Sequence, residues 1–467
     1  MADNKKDNKK KNLKKYGWQG ADDLQKLKIM EFSEEYMDFL NRAKTERESV
    51  KEIVRLAEKA GFIDISEKEK LVQGDKVYGI NKGKSIFLAV IGSESLINGF
   101  NAVGAHIDAP RLDLKQNPLY EDGGMALFKT HYYGGIKKYQ WTSIPLALHG
   151  VVAKTDGTIV DINIGEEDGD PIFLITDLLP HLSSKQNAKK LSDGIIAENL
   201  NIVIGSMPLD DAEEEHVKSH ILAILKEKYD IGEEDFRSAE IEAVPAMKAR
   251  SLGMDRSMVA AYGQDDRVCA YTGLMALLNM QPTNKTAVGI FADKEEIGSM
   301  GNTGMHSKNF ELFLMDLLEK TGIIHPYAIQ RMLSASRALS ADVTAAYDPT
   351  YAEVMEKNNA SMLGKGLTIK KYTGSRGKSG ASDANAEFIG FIRGIFKDAN
   401  VSYQSSEMGK VDEGGGGTIA YILADRGMEV LDCGVPIHSM HSPYESASKY
   451  DIYMAYLGYK AFLESKN

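Results

Sequence analysis

The sequence predicts an α/β fold in which one strand–helix unit is interrupted by a β-rich segment. Three observations predict it. Short apolar runs at 85–92 (SIFLAVIG) and 287–292 (AVGIFA) have the length and composition of buried strands. Helical periodicity surrounds them, as in Val268, Tyr271, Met275 and Leu278, which line one helix face. Between about 112 and 250 the texture changes to short alternating runs and polar turns.

The elements follow in order. A helical segment is expected over 27–61, leaving through Gly61-Phe62-Ile63, and strand-like runs follow at 85–91 and 102–107. Inside the β-rich stretch, 150–153 and 158–162 read as short strands and 165–171 as a Gly/acid turn. After Gly253 the strand–helix alternation returns, with a strand-like run at 428–431. Ile452, Tyr456, Tyr459 and Leu463 then repeat at helical spacing.

Composition narrows the function classes. With 467 residues, the chain has room for two or three domains. A formal net charge of −11 argues against nucleic acid as the partner, because phosphate binding needs a basic surface. No apolar run approaches the roughly 20 residues that cross a bilayer. Two cysteines, Cys269 and Cys433, are too few for a disulfide framework, so a reducing, cytoplasmic setting is expected. The Lys-rich residues 1–15 lack an apolar region and read as a solvated, disordered tail rather than a signal or a nucleic-acid arm.

Three motifs are decoys. His216 and His220 have zincin spacing, but Val217 stands where the catalytic Glu would be needed. The run Gly414 to Gly417 has no following Lys-Ser/Thr and is no phosphate loop. The stretch Gly377-Lys378-Ser379-Gly380-Ala381 ends in Ala where a serine-hydrolase elbow has Gly.

Five segments hold acids and histidines in unusual settings. In GAHIDAP (104–110), His106 and Asp108 stand two apart, which puts them on one side of an extended chain. Such an Asp can hold one imidazole nitrogen while the other binds metal. GQDDR (263–267) places two acids before a helix, and FADKEEIG (291–298) places three after a buried strand, where α/β ligands sit. LSADV (339–343) adds Asp342 and HSMHSPYE (438–445) adds His441. Taken singly, each has a structural reading: a capping acid, a strand-end His or a solvated turn. Together their order fits two zinc ions bridged by one carboxylate. Two Zn²⁺ against three carboxylates leave one net positive charge, which favours hydroxide at neutral pH.

The segments AHIDAPRL (105–112), QDDR (264–267), DKEEIG (293–298), SAD (340–342) and MHS (440–442) resemble those of the M18, aspartyl aminopeptidase-like, metalloaminopeptidases. The resemblance runs through nearly the whole chain. It implies a dizinc exopeptidase that removes N-terminal residues from peptides. The implied architecture is a three-layer αβα catalytic domain (1–111 and 251–467) interrupted by a β-rich oligomerisation domain (112–250). In that pattern His106 and Asp342 bind one zinc, Glu296 and His441 the other, and Asp265 bridges them. Spacing alone leaves Asp265 and Asp266 equivalent; the family pattern selects the first. Glu295 is the implied general base and Asp108 orients His106. Mn²⁺ or Co²⁺ are the expected substitutes for zinc. The resemblance further implies a homododecamer in which a histidine of the insert, here His181, completes a neighbour's site. Lys371, within the basic run Lys370, Lys371, Arg376 and Lys378, is the candidate contact for the substrate, with acidic and aliphatic first residues both open. Competing readings are a dizinc carboxypeptidase or amidase, and a catalytically silent metal-stabilised shell protein.

Overall fold

Side chains alternate across a strand, and along 85–91 they separate into two cores. Ile86, Leu88 and Val90 join one apolar cluster, whereas Phe87, Ala89 and Ile91 join another. Such a strand is buried on both faces, and the computed structural model, which describes residues 17–465, covers both with helices. The tail expected at 1–15 lies outside the described residues. Helices Asp23–Arg42, Glu46–Lys59, Gln264–Leu278, Ala386–Asp398 and Lys449–Leu463 pack on one side. Asn309–Lys320, Ala328–Ser334 and Ala420–Asp425 pack on the other.

The central sheet has nine strands. Its middle runs Thr286–Ala292, Phe100–His106, Arg337–Ser340 and Glu429–Gly434, all parallel. Antiparallel neighbours flank this parallel core: Ser85–Val90 on one side and Leu367–Lys370 on the other. The four parallel strands therefore present their carboxyl ends at one edge, where ligands of open α/β sheets bind.

Residues 111–245 form a separate seven-stranded antiparallel sheet with its own apolar cluster, including Leu112, Phe128, Trp141, Leu148 and Phe236. Its first strand, Arg111–Asp122, leaves the central sheet five residues after His106, and its last, Ala239–Pro245, leads back. Arg250–Leu252 already belongs to a third, five-stranded sheet with Met258–Ala261 and Glu445–Ser448.

The expected helix over 27–61 is two helices. The chain breaks at Ala43–Thr45, where Thr45 caps the second helix by accepting from Glu48 N–H at 3.2 Å. The reason is tertiary. Lys44 turns into the interface with the β-rich unit, where its Nζ meets Glu166 Oε1 at 2.5 Å and donates to Pro245 O at 2.8 Å. His149 is held between Glu48 (2.8 Å) and Glu166 (3.1 Å) beside it. Burial lowers the Lys44 pKa against the pull of Glu166. Removing one partner of a buried pair strands the other, so Lys44→Met is expected to cost about 3 kcal/mol, read by denaturant unfolding. A loss below about 0.5 kcal/mol would show that the contact is solvent-screened.

Candidate metal centre

Each acid or histidine of the candidate set arrives at the carboxyl edge of the parallel strands. His106 is the last residue of Phe100–His106. Glu295 and Glu296 follow Thr286–Ala292 in a short turn of helix, after Lys294 takes a positive φ of 66° that swings the chain out of its strand. Asp342 lies two residues past Arg337–Ser340. Asp265 opens the helix Gln264–Leu278, and His441 lies just past Pro436–His438.

The two histidines face one carboxylate from opposite sides. His106 Nε2 lies 3.2 Å from Asp265 Oδ1, and His441 Nε2 lies 3.2 Å from Asp265 Oδ2. Glu296 Oε2 is 3.4 Å from His441 Nε2, and Glu295 Oε2 is 3.9 Å from His106 Nε2. Asp342 clusters with His106 and Glu295, and also with Asp265 and Asp266. Asp266, joined to Asp265 by a cis peptide bond, accepts from the His106 backbone N–H through its Oδ2 at 3.4 Å.

Both imidazoles are held by the nitrogen that faces outward. His106 Nδ1 donates to the Asp108 carbonyl oxygen at 3.0 Å and lies 3.3 Å from its carboxylate. His441 Nδ1 donates to Gly135 O at 2.8 Å. Asp108 is itself fixed, accepting from the Tyr133 hydroxyl (2.8 Å) and from the backbone N–H groups of Glu295 (3.1 Å) and Glu296 (3.2 Å). Glu445 clamps two distant segments: Oε1 accepts from His441 N–H at 2.8 Å and Oε2 from Asp265 N–H at 3.0 Å.

Burial works against so many carboxylates. It pushes Glu295 up to about 8 and Asp342 up to about 6, and drives Glu296 and Asp266 well above the carboxylate range. Asp108 and Asp265 are the exceptions. Burial would raise both, but His106 holds Asp108 below its usual value, and hydrogen bonds to His106 and His441 hold Asp265 well below. His441 rises to about 10 despite burial, through Asp265 and Glu296. A group of acids like this ionises together only beside added positive charge. The donor set suits zinc: imidazole nitrogens aimed inward by outward hydrogen bonds, and carboxylate oxygens around them. Glu296 Oε1 is buried with no hydrogen-bond partner, an unsatisfied atom of the kind that a cation satisfies.

The model of the Aminopeptidase I zinc metalloprotease (M18) family matches residues 39–463. The chain belongs to the M18 family. It is similar to a probable M18 family aminopeptidase 1 of Clostridium acetobutylicum, 53% identical over 460 residues, 97% of this chain and 99% of the relative. It is similar also to a crystal structure of an M18 aminopeptidase from Thermotoga maritima. That match has a TM-score of 0.94 and 46% identity over 98% of this chain and 100% of that one. A structure described as the S. cerevisiae mApe1 dodecamer shares the fold at a TM-score of 0.74 and 20% identity. The protein is thus a hydrolase, an M18 metalloaminopeptidase of a zinc-dependent family.

Two site expectations stand outside the constellation. Lys371 is exposed and lies 3.7 Å from Asp383. Its neighbour Lys370, on the opposite side of the strand end, lines the cavity and donates to the carbonyls of Asp342 (3.2 Å) and Val343 (2.9 Å). His181 sits on an exposed helical turn, Pro180–Leu182, away from this subunit's cavity. The decoy His216 is exposed, and both decoy rings bond backbone carbonyls, His216 to Leu209 O and His220 to Met207 O. Glu445, Tyr133 and Gly135 carry no role in the sequence reading, and Lys370 enters it only as a member of the basic run. Glu445 ends HSMHSPYE (438–445), but only the fold shows what it accepts.

Proposed function

We propose that the centre holds two zinc ions and removes the N-terminal residue of short peptides. His106 and Asp342 would hold one ion, Glu296 and His441 the other, and Asp265 would serve both. The single observation that carries this reading is the division of Asp265, with Oδ1 toward His106 and Oδ2 toward His441, each at 3.2 Å. When bound, the zinc pair supplies Lewis acidity, polarising the scissile carbonyl and lowering the pKa of water.

The chain's own groups do the rest. Glu295, beside this pair but outside the ligand set, accepts the proton of the attacking water and passes it to the departing amine nitrogen. Asp108 fixes the tautomer of His106 and, through its bonds to the backbone at 295 and 296, the direction of both glutamates. A cavity of about 740 Å³, lined also by Tyr372, Arg376, Met408 and Met440, has room for the first side chain and the residues after it.

Residues 112–250 are read as an inserted oligomerisation domain, and 1–111 with 251–467 as the catalytic domain. The sheet that closes at Pro245 supports this division. Self-assembly into a dodecamer is supported by the dodecameric fold relative. It is supported also by exposed Leu178, Leu179, Leu182, Leu191 and Ile196 around His181, which would reach a neighbour's site. No helix of the described residues is long and apolar enough to cross a membrane. Free, buried Cys269 and Cys433 support a reducing, cytoplasmic setting.

The test compares free-amine and N-acetylated aminoacyl chromogenic substrates, across acidic and aliphatic first residues, with zinc, manganese or cobalt added. Free-amine substrates are expected to turn over and blocked ones to fail. Comparable hydrolysis of both would favour a carboxypeptidase or amidase, and hydrolysis of neither would favour a silent shell.

A further inference from the structure

We propose that the turn Tyr133-Gly134-Gly135 of the β-rich unit is a positioning element of the metal centre, setting both zinc-facing imidazoles from within the same subunit. This rests on the two-zinc reading above.

Three consecutive residues touch the centre at three places. Tyr133 ends the strand Met125–Tyr133, and its hydroxyl donates to Asp108 Oδ2 at 2.8 Å, the carboxylate that faces His106. Burial and the nearby Asp108 charge hold the phenol far above its usual range, so it is a donor at every working pH. Gly134 takes a φ of +74°, and a Cβ there would sit 3.3 Å from Glu296 Oε2. Gly135 offers its carbonyl to His441 Nδ1 at 2.8 Å, and a Cβ there would sit 3.2 Å from that same nitrogen. A side chain at 135 would therefore crowd His441 by a few tenths of an ångström.

The turn is anchored rather than loose. The Arg111 guanidinium lies 3.8 Å from the Tyr133 ring centroid, and Arg111 Nε pairs with Asp113 at 2.8 Å and Glu242 at 3.1 Å. Both imidazoles thus have a contact that reaches the β-rich unit: His106 through Asp108, which Tyr133 shares with the backbone of Glu295 and Glu296, and His441 directly. How that unit seats on the central sheet sets how the two ions are held. Groups that orient a metal ligand in this way change affinity or activity about 10–100-fold when removed.

The experiment titrates zinc into metal-free wild type, Tyr133→Phe and Gly135→Ala against a chromogenic chelator, with kcat, KM and the metal-free melting temperature measured alongside. Tyr133→Phe keeps the ring on Arg111, so it reports even where Gly135→Ala does not fold. Two equivalents are expected in wild type. In Tyr133→Phe one equivalent is expected to weaken about tenfold or more, with kcat falling similarly, KM within about twofold and melting unchanged. In Gly135→Ala one equivalent is expected to weaken, and in the double variant both. Wild-type affinity for both equivalents in Tyr133→Phe overturns the inference. A wild-type chain that takes up no zinc overturns the two-ion reading, and this inference with it.

Discussion

Glu295→Gln is expected to bind zinc as wild type does and to lose about 10²–10⁴-fold in kcat. The substitution keeps shape and removes one capability, the reversible uptake of a proton. Glu295 clusters with His106 and Asp342, so the variant separates a base from a ligand. Glu295 Oε2 stands 3.9 Å from His106 Nε2, farther than the 3.2 Å of Asp265, and its backbone N–H still donates to Asp108 in the variant. Zinc content after dialysis and steady-state kinetics are the two measurements. Loss of turnover together with a loss of zinc would make Glu295 a ligand rather than a base. Near-normal peptide hydrolysis with full zinc would remove it from the chemistry altogether. The neighbouring Glu296 gives the contrast, since its side chain is 4% exposed and one of its oxygens has no protein partner. Glu296→Gln is therefore the variant expected to weaken an ion.

What could be read from the chain before the fold was known depended on how local the determining contacts are. The strand at 85–91 and the strand ending at Ala292 are legible because a run buried on both faces is continuously apolar over its own length. The pairing of His106 with Asp108 is legible because two residues apart is a local relation. The break at Ala43–Thr45 is not, because helical periodicity continues across it and the cause lies in Glu166 and Pro245, more than a hundred residues away. Lys370 and Lys371 illustrate the same limit on a smaller scale. Both belong to one basic run, and only the register of Leu367–Lys370 against Glu429–Gly434 decides which faces the cavity. Tyr133, Gly135 and Glu445 carry no local signal at all. A tyrosine ending a strand, a glycine pair in a turn and a glutamate opening a strand are ordinary until the fold brings them against residues 25, 306 and 180 positions away.

The choice between Asp265 and Asp266 shows what geometry adds to spacing, and it yields the other large effect. Asp265→Asn is expected to lose at least about 10³-fold in kcat/KM, the rate equivalent of several kcal/mol of charge stabilisation, and to retain fewer than two zinc ions. An amide leaves one acceptor oxygen where two were shared, and turns an N–H₂ donor toward an imidazole nitrogen that must itself be free to bind metal. The charge argument runs in the same direction: His106 and His441 hold the Asp265 carboxylate well below its usual range, whereas burial pushes Asp266 well above it. Asp266→Asn is expected to behave differently. Its Oδ2 accepts from the His106 backbone N–H, which an amide oxygen still does, and burial already favours its neutral form, so both zinc ions are expected to stay. Metal stoichiometry and kcat/KM measured on the two variants side by side decide the matter. Retention of two ions by Asp265→Asn, with their loss from Asp266→Asn, would move the bridge one residue along the chain and undo the assignment of every ligand built around it.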